Sequence, residues 1–309
     1  MTTRWITTIS EMKSFSAEAR SQAKSLALVP TMGALHEGHL SLVRRAKAQC
    51  DVVLVSVFVN PAQFGPSEDL ARYPRNTERD LELLKALKVD AVFAPSDTEM
   101  YPQGFSTFVD PGPLATLFEG AMRPGHFRGV ATVVLKLFNV AAPDVAFFGQ
   151  KDFQQVVILR RLLEDLNLPV RVAVCPIVRE ADGLAKSSRN VYLNAEDRRA
   201  ALVLWRSLQR AEGMAQAGET QAQKLLEEMQ RIFDAEPRVR LDYAAIVNPA
   251  TLEPLARVIQ GSVALVAARL GTVRLIDNLI FGPAGSTAES LLQLAFPSRS
   301  RATALPGAL

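Results

Sequence analysis

The chain has 309 residues, 48% of them hydrophobic and 22% charged, which is the composition of a globular protein with a sizeable core. Its formal net charge is only +3 and its basic residues are spread along the chain, so charge gives no reason to expect nucleic acid as a partner. The chain has only two cysteines, which argues against a disulfide framework. It shows no signal-peptide pattern and no apolar run near the ~18 residues of a membrane span, which argues against a membrane protein. These features favour a cytoplasmic location.

Strand-like and helix-like segments alternate over roughly the first 175 residues, the pattern of a parallel α/β sheet. The predicted strands are 26–30, 52–59, 91–94, 145–148 and 170–174, and the predicted helices are 37–49, 76–88, 129–141 and 152–166. Ligands of such sheets bind beyond the carboxyl ends of the strands. The unusual polar residues follow the first, second and fourth predicted strands, so we predict a Rossmann-like fold with its ligand at that edge.

A different pattern begins beyond residue 178. Amphipathic helices are predicted over 195–215 and 219–234, and strands near 240–247, 262–269 and 273–280. Gly271-Thr272, between the last two strands, indicates a hairpin. We therefore predict a Rossmann-like domain over 1–178, a small α+β lid domain over 179–282 and a flexible, loosely held tail over 283–309.

Two of the three histidines, His36 and His39, lie between the first predicted strand and the next helix. A strand-to-helix turn directs free backbone N–H groups and the positive end of a helix dipole at its ligand, which favours phosphate. Imidazoles there are able to donate hydrogen bonds to a phosphate whose charge grows during reaction. Two alternatives stay open: a metal site, although zinc proteases use the longer His-Glu-x-x-His spacing, and a surface turn with incidental histidines.

Two further segments have the residues of a polyphosphate site. In Gly149-Gln-Lys-Asp152, Gly149 permits close backbone approach and Lys151 supplies a compact positive charge, whereas the alternative is a plain turn capped by Asp152. The segment Asp182-Gly-Leu-Ala-Lys-Ser-Ser-Arg-Asn190 is rich in donors. It is either a mobile loop that closes over phosphates or a linker between domains, and both descriptions can hold together.

Weaker candidates come from loops and one helix. The loop 60–64 after the second strand contains Gln63, whose amide suits a carboxylate or a hydroxyl, and Gln155 offers a second amide. Asp80 is a candidate cation ligand. The basic segment 123–129 is either an anion-binding wall or a structural turn. On position alone, each is also an ordinary polar residue.

Together these segments resemble the pantothenate synthetase (pantoate–β-alanine ligase) family, part of the nucleotidyltransferase superfamily shared with class I aminoacyl-tRNA synthetases. The histidine pair is similar to the His-x-Gly-His-type motif of that superfamily, and the Lys/Ser-rich loop is similar to its mobile loop. The resemblance runs in order from about residue 5 to 283. Its motifs are Pro30-Thr-Met-Gly-Ala-Leu-His-Glu-Gly-His39, Phe58-Val-Asn-Pro-Ala-Gln-Phe64, Tyr73-Pro-Arg75, Arg123-Pro-Gly-His-Phe-Arg-Gly-Val130, Phe148-Gly-Gln-Lys-Asp-Phe-Gln-Gln155 and Ser187-Ser-Arg-Asn190.

The resemblance implies a ligase that joins pantoate to β-alanine with ATP as co-substrate. In that family the pantoate carboxylate attacks the α-phosphate, pyrophosphate leaves, and the amine of β-alanine displaces AMP from pantoyl adenylate. The resemblance also implies Mg²⁺ with the nucleotide and a homodimer.

It further implies the residues of the site. ATP is expected at Met32, Gly33, Ala34, Leu35, His36, Glu37, Gly38, His39, Gly149, Gln150, Lys151, Asp152, Val178, Lys186, Ser187, Ser188 and Arg189. Gln63 is expected to hold pantoate and β-alanine, Gln155 pantoate, and Asp80 Mg²⁺. The catalytic residues are expected to be His39, His36 and Lys151, with His39 the proton donor by family assignment. On electrostatic grounds we expect instead that both histidines stabilise negative charge on the phosphates.

Two positions differ from the usual family pattern. Lys186 stands where Leu or Met is usual, so it either helps to bind pyrophosphate or points to solvent with its stem packed. Gln150 stands where Glu is common, and we expect little effect because backbone contacts dominate there. The tail after residue 283 exceeds the usual family length, so no function transfers to it.

Two other functions agree with parts of the sequence. A nucleotidyltransferase that transfers AMP or CMP without forming an amide has no need of the pair Gln63 and Gln155. A non-catalytic nucleotide-binding regulator predicts the loss of charged motif residues, yet His39, Lys151 and Arg189 are all present.

Overall fold

The structure, a computed structural model, describes residues 3–66 and 68–297. Within these residues six parallel strands form the larger sheet, in the order β1-β4-β3-β2-β5-β6. The strands are Arg4–Ile6 (β1), Leu26–Thr31 (β2), Val52–Val57 (β3), Ala91–Phe93 (β4), Val145–Gly149 (β5) and Arg171–Cys175 (β6). The prediction of a Rossmann-like parallel sheet is confirmed.

Helices cover both faces of this sheet. They are Ile9–Ser21 (α1), Glu37–Lys47 (α2), Thr77–Ala86 (α3), Asp97–Met100 (α4), Phe118–Met122 (α5), His126–Ala141 (α6) and Phe153–Asp165 (α7). Along β2, Leu28 packs in the core with α1 and α6, and the next residue, Val29, packs with α2 and α3 on the opposite face. Successive side chains of a strand point to opposite faces, so a strand covered on both sides is apolar throughout.

A smaller antiparallel sheet follows, in the order β7-β8-β9. Its strands are Arg240–Val247 (β7), Val263–Leu270 (β8) and Val273–Ile280 (β9), and the helices before it are Ala195–Ala200 (α8), Leu202–Gln216 (α9) and Ala222–Asp234 (α10). Gly271, with φ +57°, and Thr272 form the two-residue hairpin turn between β8 and β9, as predicted. The α+β character of this part of the chain is confirmed.

Some elements differ from the prediction. Strand β1 and helix α1 were not predicted, although Thr8 and Glu11 form a capping box, a readable helix-start signal. The single helix predicted over 195–215 is two helices that meet at Ala201. Helix α6 begins at His126, three residues before the predicted start at 129. No helix in the described part of the chain is long and apolar enough to cross a membrane.

The loosely held tail predicted from residue 283 needs correction. Helix α11, Ala288–Ala295, buries Leu292 and Ala295 in a core cluster that also contains side chains of α7 and of the antiparallel sheet. Phe296 packs on Phe153 with ring centroids 4.9 Å apart. These apolar side chains have a surface to cover, so the segment is ordered there; residues 298–309 lie outside the described residues.

Candidate functional site

The predicted polar segments meet at one edge of the parallel sheet. They follow β2, β3 and β5, which are neighbours in the order β3-β2-β5. The strand order reverses between β2 and β5, so the loops beyond these two strands diverge and leave a crevice, the usual ligand position in such sheets. The sequence placed these segments at strand ends, and the topology brings the ends together.

Asp80 fixes the shape of the loop between β2 and α2. Its two carboxylate oxygens accept the backbone N–H groups of Ala34 and Leu35, each at 2.8 Å. Ala34 has φ +48° and Gly33 has φ +79°, both in the left-handed region that disfavours most side chains. Burial raises the pKa of the Asp80 carboxyl, and the two N–H groups oppose that rise. This geometry favours a structural role for Asp80 over the predicted contact with Mg²⁺.

His36 and His39 form a reciprocal cap at the start of α2. The Nδ1 atom of His36 accepts the backbone N–H of Gly38 at 3.1 Å, and the Nδ1 atom of His39 accepts the backbone N–H of His36 at 3.4 Å. An imidazole that accepts at Nδ1 carries its proton at Nε2 when neutral. A Cβ atom on Gly38 would lie 2.8 Å from Cε1 of His36, so a side chain there would push the His36 ring out of its capping position.

Both histidines are neutral at physiological pH. Burial, with the nearby charges of Lys151 and Lys186, lowers the pKa of His36 to about 4. Burial, with His36 and Lys151 close by, lowers the pKa of His39 to about 3. The pair therefore presents Nε2–H groups as hydrogen-bond donors next to a lysine, an arrangement that suits an anionic ligand.

The loop 186–190 contacts the loop between β2 and α2. The Ser188 hydroxyl donates to the carbonyl of Ala34 at 3.1 Å. Arg189 forms a two-pronged ion pair with Asp69, with N–O distances of 2.8 and 2.9 Å. Lys186 pairs with Glu180 at 2.8 Å. The segments predicted to surround phosphates thus lie together, although Lys186 and Arg189 already have acidic partners.

Gln63 is held from several sides. Its Nε2 donates to the Met32 sulfur at 3.1 Å, and its Oε1 accepts from Asn60 at 3.0 Å. Its carbonyl accepts from Nδ1 of His126 at 2.8 Å. Arg123, next to that histidine, is paired with Glu68 and Glu119. Of the two interpretations of segment 123–129, the structural turn is therefore favoured over the anion-binding wall.

A cleft of about 1090 Å³ opens between the two sheets. Of the predicted residues, it is lined by Lys151, Asp152, Gln155, Ser187 and Arg189. The histidine pair, Gln63 and Lys186 lie outside that lining, and Val178 lines a second cleft beside β6. Lys151 connects the cleft to the histidines, because its charge lowers the pKa of both.

The prediction missed contacts that β9 makes across this cleft. Asn278 donates to the carbonyls of Gln150 and Lys151, both at 3.0 Å, and Asp277 is paired with Arg179 at 2.6 Å. The partners of Asn278 lie more than 100 positions away in the chain, so spacing does not reveal them. The available signal was the polar pair Asp277-Asn278 between the apolar residues Leu275-Ile276 and Leu279-Ile280 of the strand.

The fold and the site define a class: an α/β protein whose polar side chains gather at the switch point of a parallel sheet, where nucleotides commonly bind. The family model described as Pantoate-beta-alanine ligase matches residues 4–280. The chain therefore belongs to the pantoate–β-alanine ligase family, and it is an enzyme of that class. Helix α11 lies beyond the matched segment.

Individual proteins to which the chain is similar belong to the same family. The chain is 58% identical to a pantothenate synthetase from Roseiflexus castenholzii over 277 residues, covering 90% of this chain and 99% of that protein. It is 56% identical to one from Thermotoga neapolitana over 279 residues, covering 90% and 100%. The crystal structure of the Thermus thermophilus pantothenate synthetase superimposes with a TM-score of 0.86 at 48% identity, covering 90% and 100%. The structure of a Francisella tularensis ligase complexed with βγ ATP and β-alanine superimposes with a TM-score of 0.76 at 33% identity. This match covers 91% of this chain and 100% of that one.

Proposed function

We propose that the chain condenses pantoate with β-alanine, with ATP as co-substrate, through pantoyl adenylate. A carboxylate oxygen of pantoate bonds to the α-phosphorus of ATP as the bond to pyrophosphate breaks. The amine of β-alanine then bonds to the pantoyl carbonyl carbon, AMP leaves, and the nitrogen loses a proton to give the amide. The family name supports the two acids, and the ligands of the Francisella tularensis structure support the nucleotide and the amine.

The neutral histidine pair beside Lys151 is the observation that carries this proposal. Two Nε2–H donors and one ammonium group suit the charge that develops as pyrophosphate departs. The first half-reaction needs no proton, because pantoate attacks as a carboxylate and pyrophosphate leaves as an anion. We therefore assign His36 and His39 to hydrogen bonding, in place of the proton-donor role that the family assignment gives to His39.

The remaining residues of the site are proposed to position substrates. The segments 32–39, 149–152 and 186–189, with Val178, hold ATP. Gln63 and Gln155 hold pantoate, and Gln63 also meets β-alanine. Two contacts support this proposal: Gln155 lines the cleft together with Lys151, and the Gln63 amide donates to Met32 in the segment 32–39.

Mg²⁺ is proposed only as the ion that accompanies ATP. Among residues 3–66 and 68–297, no cluster of three or more His, Cys, Asp or Glu side chains could hold a metal, and both oxygens of Asp80 are engaged by backbone N–H groups. Phosphate oxygens and water commonly supply most ligands of such an ion. The protein residues do not fit a dedicated Mg²⁺ site, and we assign the ion no step.

We also propose the domain division of 1–178 and 179–282, with the second part closing over the first, and a homodimer. Sedimentation equilibrium would give a mass of twice 33.7 kDa for the dimer and 33.7 kDa for a monomer.

The function is tested by pyrophosphate release from ATP with pantoate, with and without β-alanine, while AMP and pantothenate are followed. Pyrophosphate release that requires pantoate, with AMP and pantothenate formed only when β-alanine is added, is the expected result. A folded protein that releases no pantoate-dependent pyrophosphate would contradict the proposal. Release with another acid or nucleotide, without an amide product, would favour a different nucleotidyl transfer.

A further inference from the structure

Asn278, on β9 of the antiparallel sheet, uses its whole side-chain amide on the turn that carries Lys151. Its Nδ2 donates to the carbonyls of Gln150 and Lys151, each at 3.0 Å. Its Oδ1 accepts from Nε2 of Gln150, also at 3.0 Å. Asn278 is 2% exposed and Gln150 is 8% exposed, so water does not compete for these bonds. The contact therefore consists of three buried hydrogen bonds that join β9 to the β5–α7 turn, and we call it the latch.

This latch constrains the backbone from which the Lys151 side chain projects. Residues 150–152 form one short 3-10 turn after β5, and the Asp152 side chain makes no cap hydrogen bond to helix α7 that follows. Nδ2 of Asn278 ties two successive carbonyls of that turn, which fixes the peptide planes on both sides of the Lys151 Cα atom. In the described residues the Lys151 ammonium has no hydrogen bond or ion pair, and only the longer-range attraction of the Asp277 carboxylate acts on it. The backbone supplies the constraint that the side chain lacks.

The neighbouring residue on β9 anchors the other side of the site. Asp277 forms a buried two-pronged ion pair with Arg179, at 2.6 and 3.0 Å. Arg179 pairs with Ala185 in a short antiparallel bridge, and the N–H of Lys186 donates to the carbonyl of Val178 at 2.9 Å. One strand of the antiparallel sheet thus holds both the turn at 150–152 and the base of the loop at 186–189. Its contacts set the positions of the two segments relative to each other.

We propose that Asn278 is a positioning residue, which directs the Lys151 ammonium to the phosphates of ATP from the other sheet. The proposal rests on the function proposed above, in which Lys151 stabilises phosphate charge. Asn278 itself touches no reacting atom. A hydrogen-bonded frame that holds a charged group in place matters most in the transition state, where a misplacement of about 1 Å can cost roughly 10²-fold in rate.

The test is a double-mutant cycle on pantoate-dependent pyrophosphate release, with wild type, Asn278→Ala, Lys151→Ala and the double variant. We expect Asn278→Ala to lower kcat by about 10- to 100-fold with a smaller change in KM for ATP. In the Lys151→Ala background, the same change should cost less than about threefold, because the group it positions is gone. Asn248→Ala is the matched control: this asparagine also bonds two backbone groups, with its amide oxygen accepting the N–H groups of Ala250 and Thr251, but in a turn of the antiparallel sheet.

Asn278→Asp is the second variant in case Asn278→Ala does not fold. It keeps the size of the side chain and the acceptor for Gln150, but it replaces the donor to the two carbonyls by a carboxylate oxygen. Equal losses from Asn278→Ala with and without Lys151, or near-normal kcat in folded Asn278→Asp, would overturn the positioning role. A wild-type protein without pantoate-dependent activity would overturn the proposed function, and the role of Asn278 with it.

Discussion

His36 and His39 pack with ring centroids 4.1 Å apart, and each uses Nδ1 to accept a backbone N–H at the start of α2. The contacts cap the helix and leave both Nε2–H groups free to donate. The same two residues thus start the helix and supply the donors of the site. A side chain on Gly38 would displace the His36 ring from its cap.

The tautomers of the three histidines are the first prediction. His126 donates from Nδ1 to the Gln63 carbonyl, and burial lowers its pKa to about 4. At pH 6 we expect three neutral imidazoles, with His36 and His39 protonated at Nε2 and His126 at Nδ1. Long-range ¹H–¹⁵N correlation spectra of the free protein would show this, and His126→Asn would assign its signals. A charged ring at pH 6, or Nδ1–H on His39, would contradict the geometry.

The pH dependence of stability follows from the same pKa values. When the pKa of a histidine is lower in the folded state, the unfolded chain binds its proton at a higher pH than the folded chain does. Acidification from about pH 6.5, the pKa of an unperturbed histidine, towards pH 4 therefore destabilises the fold. The free energy of unfolding falls by up to about 1.4 kcal/mol per pH unit for each histidine. Urea unfolding at pH 7, 6, 5 and 4 should show a steadily falling free energy of unfolding. A flat profile over pH 6.5 to 4.5 would show that the histidines titrate normally.

His39 and Lys151 are predicted to matter for the first half-reaction. His39→Ala and Lys151→Ala should each lower pantoate-dependent pyrophosphate release by ~10²-fold or more, the cost of one transition-state donor. His39→Gln should recover part of the loss, because its amide returns an N–H donor. Lys85→Ala, at an exposed lysine on α3, is the control. Near-normal release by both Ala variants would rule out this mechanism.

Lys186 and Glu180 make a matched pair of variants. If Lys186 leaves Glu180 to bind pyrophosphate, Lys186→Leu should raise KM for ATP several-fold, whereas Glu180→Gln, which frees the lysine, should not. Initial rates at varied ATP concentration measure both effects. Unchanged ATP kinetics in Lys186→Leu would show that the lysine serves only its ion pair.

Asp80→Asn separates a structural role from a metal role. The amide leaves one of the N–H groups of Ala34 and Leu35 without an acceptor, so we expect a loss of about 1–3 kcal/mol in the free energy of unfolding. Asp51→Asn, at an exposed carboxylate that accepts from Ser25, should cost less. Unchanged stability together with a raised Mg²⁺ requirement would instead restore the predicted metal contact.

Helix α11 is predicted to stabilise the junction between the two sheets. Leu292→Ala removes a buried side chain from the cluster shared by α7 and the antiparallel sheet, and we expect a cost of about 2–4 kcal/mol in chemical denaturation. Gln293→Ala, one exposed position further, should be close to neutral. Equal stability of the two variants would show that α11 contributes nothing to the junction.

The sequence by itself determined most of the parallel sheet and the identity of the family. Nearly continuous apolar runs such as 52–57 mark strands buried on both faces, and chemistry-bearing residues fall at their carboxyl ends. Both patterns are local in the sequence. The histidine pair was readable for the same reason. Short or weakly patterned elements such as β1 were missed, since three residues carry little periodicity.

Only the tertiary structure decided what the polar residues contact. Asp80 holds a backbone loop and Asn278 holds the turn of Lys151, each through partners at least 45 positions away in the chain. The protonation of His39 likewise depends on burial and on a lysine that the fold brings near. Hydrogen-bond partners and desolvation are properties of packing between distant segments, whereas periodicity and motif spacing record only neighbours along the chain.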